Sequence, residues 1–253
     1  MNRKPSAMDS PEPIDIEAHW SDAVETYKNH PTSRHRRRFV VNALDGEPFG
    51  PDTFVFDYGC GAGLALEDVK RRFGLRDDQV GGCDISTQAV ARARERISSP
   101  HFICGGYPEV DRPIHYVICS EVIEHTAEYR AILVWIRDHL VPGGVLVLTT
   151  PGGTLDPPDR YYGHVQHFRL PGLVAQLNEL GFDVERARLW GFPCFTLQRW
   201  MTKRHFDRVK DAFMGGPLSL SKRAVFTAFY YLYFVHDLIP YGSQIFIKAR
   251  RRA

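Results

Sequence analysis

The segment Val55–Gly63 constrains the fold most, because an apolar run leads there into an acidic residue and three alternating glycines. The run Thr53–Phe56 predicts a buried strand with Asp57 at its carboxyl end. The glycines, which have no side chain to obstruct a left-handed backbone, allow a sharp turn into the helix that follows. In an open parallel sheet such a turn borders the ligand crevice. The three residues are Gly59, Gly61 and Gly63.

The spacing of this turn indicates the charge of its ligand. The glycines follow an acid in the pattern D-x-G-x-G-x-G, whereas the dinucleotide fingerprint G-x-G-x-x-G holds a pyrophosphate that a carboxylate would repel. A carboxylate suits an ammonium or sulfonium group instead. The next predicted strand, Val80–Asp84, ends in a second acid about 20 residues further on, where a carboxylate holds ribose hydroxyls. Ribose without phosphate and a cationic amino-acid tail describe S-adenosylmethionine.

Over about residues 46–189 the chain resembles the class I S-adenosylmethionine-dependent methyltransferases. Besides Val55–Gly63, the resemblance is carried by Cys83–Ser86, Cys119–His125 and Leu140–Pro151. It departs from the family at Gly106 and His115, where relatives tend to carry aspartate. The cofactor-binding residues that the turn, the second acid and the resemblance imply are Asp57, Gly59, Gly61, Gly63, Asp84, Ile85, Gly105, Ser120 and Glu121.

Strand and helix patterns alternate through this region, which predicts a parallel sheet with helices on both faces. With the resemblance, the expected α/β fold is a Rossmann-like, seven-stranded, mostly parallel sheet with an N-terminal helical cap and a helical insertion before the last strand. The expected divisions are a disordered N-terminus at 1–14, the cap at 15–45, the methyltransferase core at 46–189, an aromatic-rich insertion or lid at 190–240, and the last strand with a basic C-terminus at 241–253.

The segment after the predicted fourth strand carries candidate chemistry. If residues 120–125 form a helical turn, Glu121 lies beside Glu124 and His125. The E-x-x-E-H pattern is similar to that of ubiquinone-biosynthesis O-methyltransferases and small-RNA 2′-O-methyltransferases. That resemblance implies a site for Mg²⁺ or another divalent metal, whose ligands would be Glu121, Glu124, His125 and His164 or His167.

A second interpretation of these side chains needs no metal. A histidine would then remove the proton of the acceptor hydroxyl during in-line methyl transfer. A purely structural role for the histidines is the third interpretation. The candidate catalytic residues are His125, His164, His167 and Glu121.

Two further regions have open roles. In the cap, Trp20 and Tyr27 either close over the cofactor, as the resemblance implies, or are core contacts. In the insertion, five aromatic residues at helical spacing predict one striped helix. That helix is a lid over an apolar substrate pocket, a homodimer face, or a peripheral membrane contact through 224–239. The five are Phe226, Phe229, Tyr230, Tyr233 and Phe234.

The net charge and the cysteine pattern restrict the class of function and the compartment. A net charge of +2 argues against a surface built for nucleic acid. Five cysteines without a C-x-x-C pair, and an N-terminus without an apolar signal segment, favour a cytoplasmic protein. We expect an O-methyltransferase whose partner is a small-molecule acceptor such as a phenol, sugar, polyketide or lipid-like alcohol. The alternatives are an RNA 2′-O-methyltransferase and a noncatalytic cofactor-binding protein.

Overall fold

The computed structural model describes residues 15, 17, 20, 24–206, 208–209 and 218–253. The N-terminal segment 1–14, expected to be disordered, lies outside the described residues. The described chain forms one seven-stranded sheet in the order β3-β2-β1-β4-β5-β7-β6. Its strands are β1 Val55–Tyr58, β2 Val80–Asp84, β3 Phe102–Cys104, β4 Ile114–Ser120, β5 Leu140–Pro151, β6 Phe182–Trp190 and β7 Gln244–Arg251.

The expected Rossmann-like architecture is confirmed. β1 to β5 pair in parallel, and β7 runs antiparallel to both β5 and β6. β1 is buried along its whole length, as expected for a central strand that is covered on both faces. Two apolar clusters fill the two faces of the sheet. The helices are α1 Val24–Asn29, α2 Pro31–Leu44, α3 Leu64–Phe73, α4 Thr87–Arg96, α5 Tyr129–His139, α6 Pro157–Tyr161, α7 Leu170–Glu179, α8 Cys194–Arg204 and α9 Leu220–Leu232.

Local signals set the ends of the helices beside the site. Gly63 precedes α3 and Gly74 follows it, and both have left-handed backbone angles. α4 begins after Ser86, whose hydroxyl accepts a hydrogen bond from the Ala89 N–H at 3.1 Å. Both helices therefore begin at the carboxyl edge of the sheet, beside the ends of β1 and β2.

The N-terminal cap includes two separate helices, α1 and α2. Pro31 at the first position of α2 separates it from α1 at His30, because proline has no N–H to continue the preceding helix. α2 packs on the sheet through Phe39, whose ring stacks on Phe246 of β7 at 4.4 Å. The cap is thus anchored on the last strand and lies against the crevice edge.

The insertion also differs from the single striped helix. α9 ends at Leu232, and a 3₁₀ segment at Tyr233–Leu238 follows it. Phe226 and Tyr233 are buried, whereas Phe229 and Phe234 remain partly exposed. The stripe is broken because the backbone tightens at Tyr233. Among the described residues no helix combines the length and apolar character that crossing a membrane requires.

Candidate functional site

The glycine turn is fixed to the neighbouring strand by backbone hydrogen bonds. The N–H groups of Gly59 and Cys60 both donate to the Cys83 carbonyl oxygen at 2.8 Å. The Gly61 N–H donates to the Asp84 carboxylate at 2.9 Å. Asp57 lies inside β1 rather than at its end, because the strand runs on to Tyr58. These contacts join the two predicted acids and the turn into one crevice wall.

Two positions in the turn require glycine. Gly59 has a φ of 76°, and a Cβ there would lie 2.3 Å from Val122 Cγ2. Gly61 has a φ of 50°, and a Cβ there would lie 2.5 Å from the Trp20 ring. Both backbones adopt the left-handed region that L side chains rarely enter. The close approach puts the indole of the cap directly over the glycine turn, where it stacks on Tyr27 at 5.5 Å.

The electrostatics of this wall favour a cationic ligand. Burial, together with the nearby Asp84 carboxylate, raises the pKa of Asp57 to about 8. Burial also raises the pKa of Asp84. A positive charge placed beside two such carboxyls would favour their ionised forms. The wall therefore suits an ammonium or sulfonium group.

The predicted ribose end is open at its surface. Ile85 is 66% exposed beside Asp84, and the Gly105 N–H donates to the Asp84 carbonyl oxygen at 2.9 Å. Each Asp84 carboxylate oxygen accepts one backbone N–H, from Gly61 or from Ser86. Since each oxygen can accept a second hydrogen bond, the carboxylate retains capacity for hydroxyl donors.

Glu17 is a contact that the sequence did not predict. Its carboxylate accepts from the N–H groups of Thr87 and Gln88 at 2.9 and 3.0 Å, and from the Ser86 hydroxyl at 3.0 Å. A carboxylate satisfies the free N–H groups and the positive dipole at the start of α4. The N-terminal segment is thereby attached beside Asp84, and no local motif linked residues this far apart.

Glu121 is on the crevice but apart from the other E-x-x-E-H residues. It has a φ of 59°, and the 3₁₀ turn begins only at Ile123, so the helical-turn condition is not met. Its carboxylate pairs with Arg36 Nη1 at 3.0 Å and accepts from Thr149 Oγ1 at 2.9 Å and Gln244 Nε2 at 2.8 Å. Glu121 therefore joins the cap to β5 and β7.

Ser120, the last residue of β4, pairs with the same threonine. Its hydroxyl lies 2.8 Å from Thr149 Oγ1. The predicted cofactor residues at 120 and 121 thus form one polar network with β5.

The remaining residues of the pattern do come together. Glu124, His125 and His164 each place one potential ligand atom within 4.8 Å of the others. Glu124 is fully buried, and its Oε2 accepts from Thr150 Oγ1 at 2.9 Å. Its Oε1 has no hydrogen-bond partner in the described part of the chain. A buried carboxylate oxygen without a donor is costly, so it fits either a proton or a cation.

His164 and His167 form a directed hydrogen-bond chain. His167 Nδ1 lies 3.0 Å from the Thr154 carbonyl oxygen, which can only accept, so Nδ1 carries the proton of the neutral ring. His167 Nε2 then accepts from His164 Nδ1 at 3.0 Å. His164 Nε2 is left as the nitrogen with a free lone pair. Asp159 Oδ2 lies 3.7 Å from His167 Nε2, and it is held by Arg199 at 2.9 Å.

Burial keeps these imidazoles neutral. It lowers the pKa of His164 to about 2, with further lowering by the nearby His125, His167 and arginine charges. Burial also lowers the pKa of His125 and of His167, although Asp159 opposes the change at His167. Burial raises the pKa of Glu124, and the Glu121 charge adds to the effect. The cluster is thus a neutral, lone-pair-bearing site at ordinary pH.

Comparison with known proteins agrees with this geometry. Residues 56–146 match a family model described as a methyltransferase domain. Trans-aconitate 2-methyltransferase of Pseudomonas aeruginosa PAO1 is 29% identical over 146 residues, which cover 54% of this chain and 48% of that protein. Ubiquinone biosynthesis O-methyltransferase of Bradyrhizobium sp. ORS 278 is 32% identical, over 38% of this chain and 39% of that protein. The chain thus spans about half or less of these relatives.

A solved structure shares the fold over most of the chain. It is a methyltransferase of Thiobacillus denitrificans in complex with S-adenosylhomocysteine, with a TM-score of 0.58, 18% identity, and coverage of 95% of this chain and 100% of that one. The sheet order, the methyltransferase-domain match at residues 56–146 and these similarities support a class I S-adenosylmethionine-dependent methyltransferase.

Proposed function

We propose that the protein transfers the methyl group of S-adenosylmethionine to a hydroxyl of a small-molecule acceptor. The main support is that two different sets of side chains lie along the same edge of the sheet. A buried acid inside β1, a half-buried acid at the end of β2 and the glycine turn lie together, and a chain of neutral histidines lies beyond β4 and β5. The first set suits a cationic donor, and the second suits an acceptor that must lose a proton.

The residues at β1 and β2 fit the donor. Asp57 would face its positive charge, the glycine turn would let its amino-acid tail approach the backbone, and Asp84 would accept from the ribose hydroxyls. When bound, the donor supplies an electrophilic methyl group. The chain itself must exclude water and orient the acceptor, and the Trp20 ring above Gly61 is placed to cover the turn.

The histidine chain supplies a route for the acceptor proton. The hydroxyl would donate to His164 Nε2 while the Nδ1 proton of His164 moves to His167 Nε2. The resulting charge would rest on His167, between the Thr154 carbonyl and Asp159. His164, whose own pKa is about 2, would act as a base in this way because the positive charge passes to His167, where Asp159 opposes the lowering of the pKa by burial.

The hydroxyl acceptor is supported by one relative and by the side chains around the crevice. One relative is an O-methyltransferase of ubiquinone biosynthesis by name. The cap and the loop before α7 bring several rings to the crevice, among them Tyr27, His30 and Tyr162, which burial keeps in their neutral forms because it raises the pKa of the tyrosines and lowers that of the histidine. Neutral rings of this kind favour a small acceptor over a phosphate backbone.

A metal-assisted variant is a second candidate, favoured by the unpartnered Glu124 oxygen. Glu124, His125 and His164 would hold the cation, with carboxylate and imidazole ligands that suit several divalent metals. Glu121 would not be a ligand, because its carboxylate is paired with Arg36. The metal would serve to lower the pKa of the acceptor hydroxyl.

An acceptor screen tests the proposal. Purified protein is incubated with S-adenosylmethionine and phenols, sugars, polyketides, long-chain alcohols or a short RNA, with and without a chelator, and S-adenosylhomocysteine is measured. We expect product with a small hydroxyl acceptor and unchanged turnover with the chelator. Loss of turnover that Mg²⁺ or Mn²⁺ restores would favour the metal variant. Turnover on RNA alone, or on none of the acceptors, would contradict the proposal.

A further inference from the structure

The insertion carries most of the exposed large hydrophobic residues of the described chain. Of the fifteen such residues, eleven lie in the insertion at 190–240. Single exposed apolar residues are ordinary, but a concentration in one appendage marks an interaction surface. We define the docking face as Leu197, Trp200 and Met201 of α8 and Val225, Tyr231 and Leu232 of α9.

Both helices present these residues outward because their other faces are attached to the body. On α8, the N–H groups of Cys194 and Phe195 donate to His236 Nε2 at 3.1 and 3.3 Å. One turn further along that side, Gln198 accepts from the Tyr233 hydroxyl. Leu197, Trp200 and Met201 lie on the remaining side of the helix, since residues three and four apart share a face.

α9 is attached in the same manner to the cap. Phe226 is buried with its ring 5.3 Å from His30, and the Tyr230 ring lies 4.7 Å from His35. The docking-face residues of α9 are exposed on the other side, where Leu220 is 86% exposed. Two helices thus turn apolar surface away from the sheet.

The charge of the insertion indicates what covers this face. Residues 190–240 contain seven lysines and arginines against three acidic residues, whereas the whole chain is nearly balanced at 32 to 30. Asp237 is the acidic residue in the described part of the insertion, and it forms ion pairs with Arg38 at 2.6 Å and Arg188 at 2.9 Å. The appendage is therefore basic as well as apolar.

Basic side chains occur in the last turn of α8, at Lys203 and Arg204, and in the first turn of α9, at Lys222 and Arg223. Lys203 is paired with Asp156 at 2.6 Å and Arg223 with Glu25 at 3.3 Å, whereas Arg204 and Lys222 form no ion pair with a described residue. Arg204 lies 5.6 Å over the Trp200 ring. Tryptophan beside arginine on an amphipathic helix is typical of the membrane interface.

We propose that the docking face binds the surface of an anionic lipid bilayer. The apolar side chains would enter the interface, and the basic ends would contact lipid phosphates. A second copy of the chain would instead bring its own basic helix ends against these, and the like charges would repel. The proposal does not depend on methyl transfer.

Vesicle binding tests it with the whole protein. We expect cosedimentation with phosphatidylcholine vesicles that contain phosphatidylglycerol, weaker binding to phosphatidylcholine alone, and loss at high salt. Trp200→Ser with Leu232→Ser should weaken binding about tenfold. Tyr107→Ser, at an equally exposed aromatic residue outside the insertion, should leave it unchanged.

Charge variants separate the electrostatic part. Arg204→Gln with Lys222→Gln should weaken binding about fivefold for each residue removed, whereas Arg92→Gln with Arg130→Gln should have no effect. Circular dichroism verifies that each variant is folded. Unchanged binding in the Trp200 and Leu232 variant would overturn the proposal. Absence of vesicle binding by the unaltered protein would also overturn it. This holds if analytical ultracentrifugation shows a monomer, and equally if it shows a dimer that the Trp200 and Leu232 substitutions dissociate.

Discussion

The two sides of the crevice are built in different ways. The proposed donor side, at β1 and β2, consists of backbone N–H groups, glycines, one buried acid and one half-buried acid within about 30 residues of chain. The acceptor side, beyond β4 and β5, consists of side chains from the cap, the 3₁₀ turn and the loop before α7. One side is fixed by the backbone, and the other by tertiary contacts.

The difference shows how one fold can serve many acceptors. A turn whose glycines are required by backbone angle and close approach tolerates little change, so the donor site is rigid. Side chains that meet from separate loops can be exchanged without altering the sheet. Substitutions on the donor side should therefore reduce donor binding, and those on the acceptor side should reduce turnover.

His164→Gln should give the largest effect, a fall in kcat of about 100-fold or more, because it removes the nitrogen that takes the acceptor proton. Affinity for S-adenosylmethionine, measured by calorimetry, should stay as in the unaltered protein. His139→Gln, at the opposite end of β5, is the matched control. Equal losses of turnover and of donor affinity would mean that His164 contributes to donor binding as well as to catalysis. The two sides of the crevice would then not be functionally separate.

Gly61→Val should weaken S-adenosylmethionine binding about 100-fold, since it combines a strained backbone angle with a clash against the Trp20 ring. Calorimetry measures the change. Gly172→Val is the control, because no atom lies within 4 Å of a Cβ at that position in α7. An unchanged dissociation constant for Gly61→Val would show that the donor does not use this turn.

Titration of Asp57 should give the smallest of the three effects, which is a pH dependence of S-adenosylmethionine binding. The pKa of Asp57 is raised to about 8, so below that pH the carboxyl is neutral in the free protein, and a cation that favours the ionised form must expel its proton. Affinity should rise by up to about tenfold per pH unit and level off above pH 8. Calorimetry in buffers of different ionisation enthalpy would detect the released proton.

The Asp57→Asn variant is the control for that experiment, because an amide has no proton to release in this range. Its donor affinity should be lower and flat with pH. A pH dependence that persists in Asp57→Asn would assign the proton to another group, with Asp84 as the nearest candidate, because its pKa is raised as well.

The sequence predicted the sheet, the turn and the two acids beside it, because these depend on local backbone geometry and on apolar periodicity; that these acids bind the donor stays a prediction. It predicted the acceptor side only in part. Glu124, His125 and His164 do meet, but Glu121 turns away toward Arg36, a residue of the cap. The left-handed backbone at Glu121 decided this, and the letters E-x-x-E-H contain no sign of it.

The sequence by itself thus determined the fold and the position of the glycine turn beside two acids, since glycine, acids at strand ends and strand patterns act over short stretches of chain. Only the tertiary structure decided which side chains share the acceptor site and where the apolar face of the insertion points. The Glu17 contact with α4, the Thr154–His167–His164 chain and the attachment of α8 to His236 are examples. They join or orient residues through packing, and packing fixes side-chain direction only after the chain has folded.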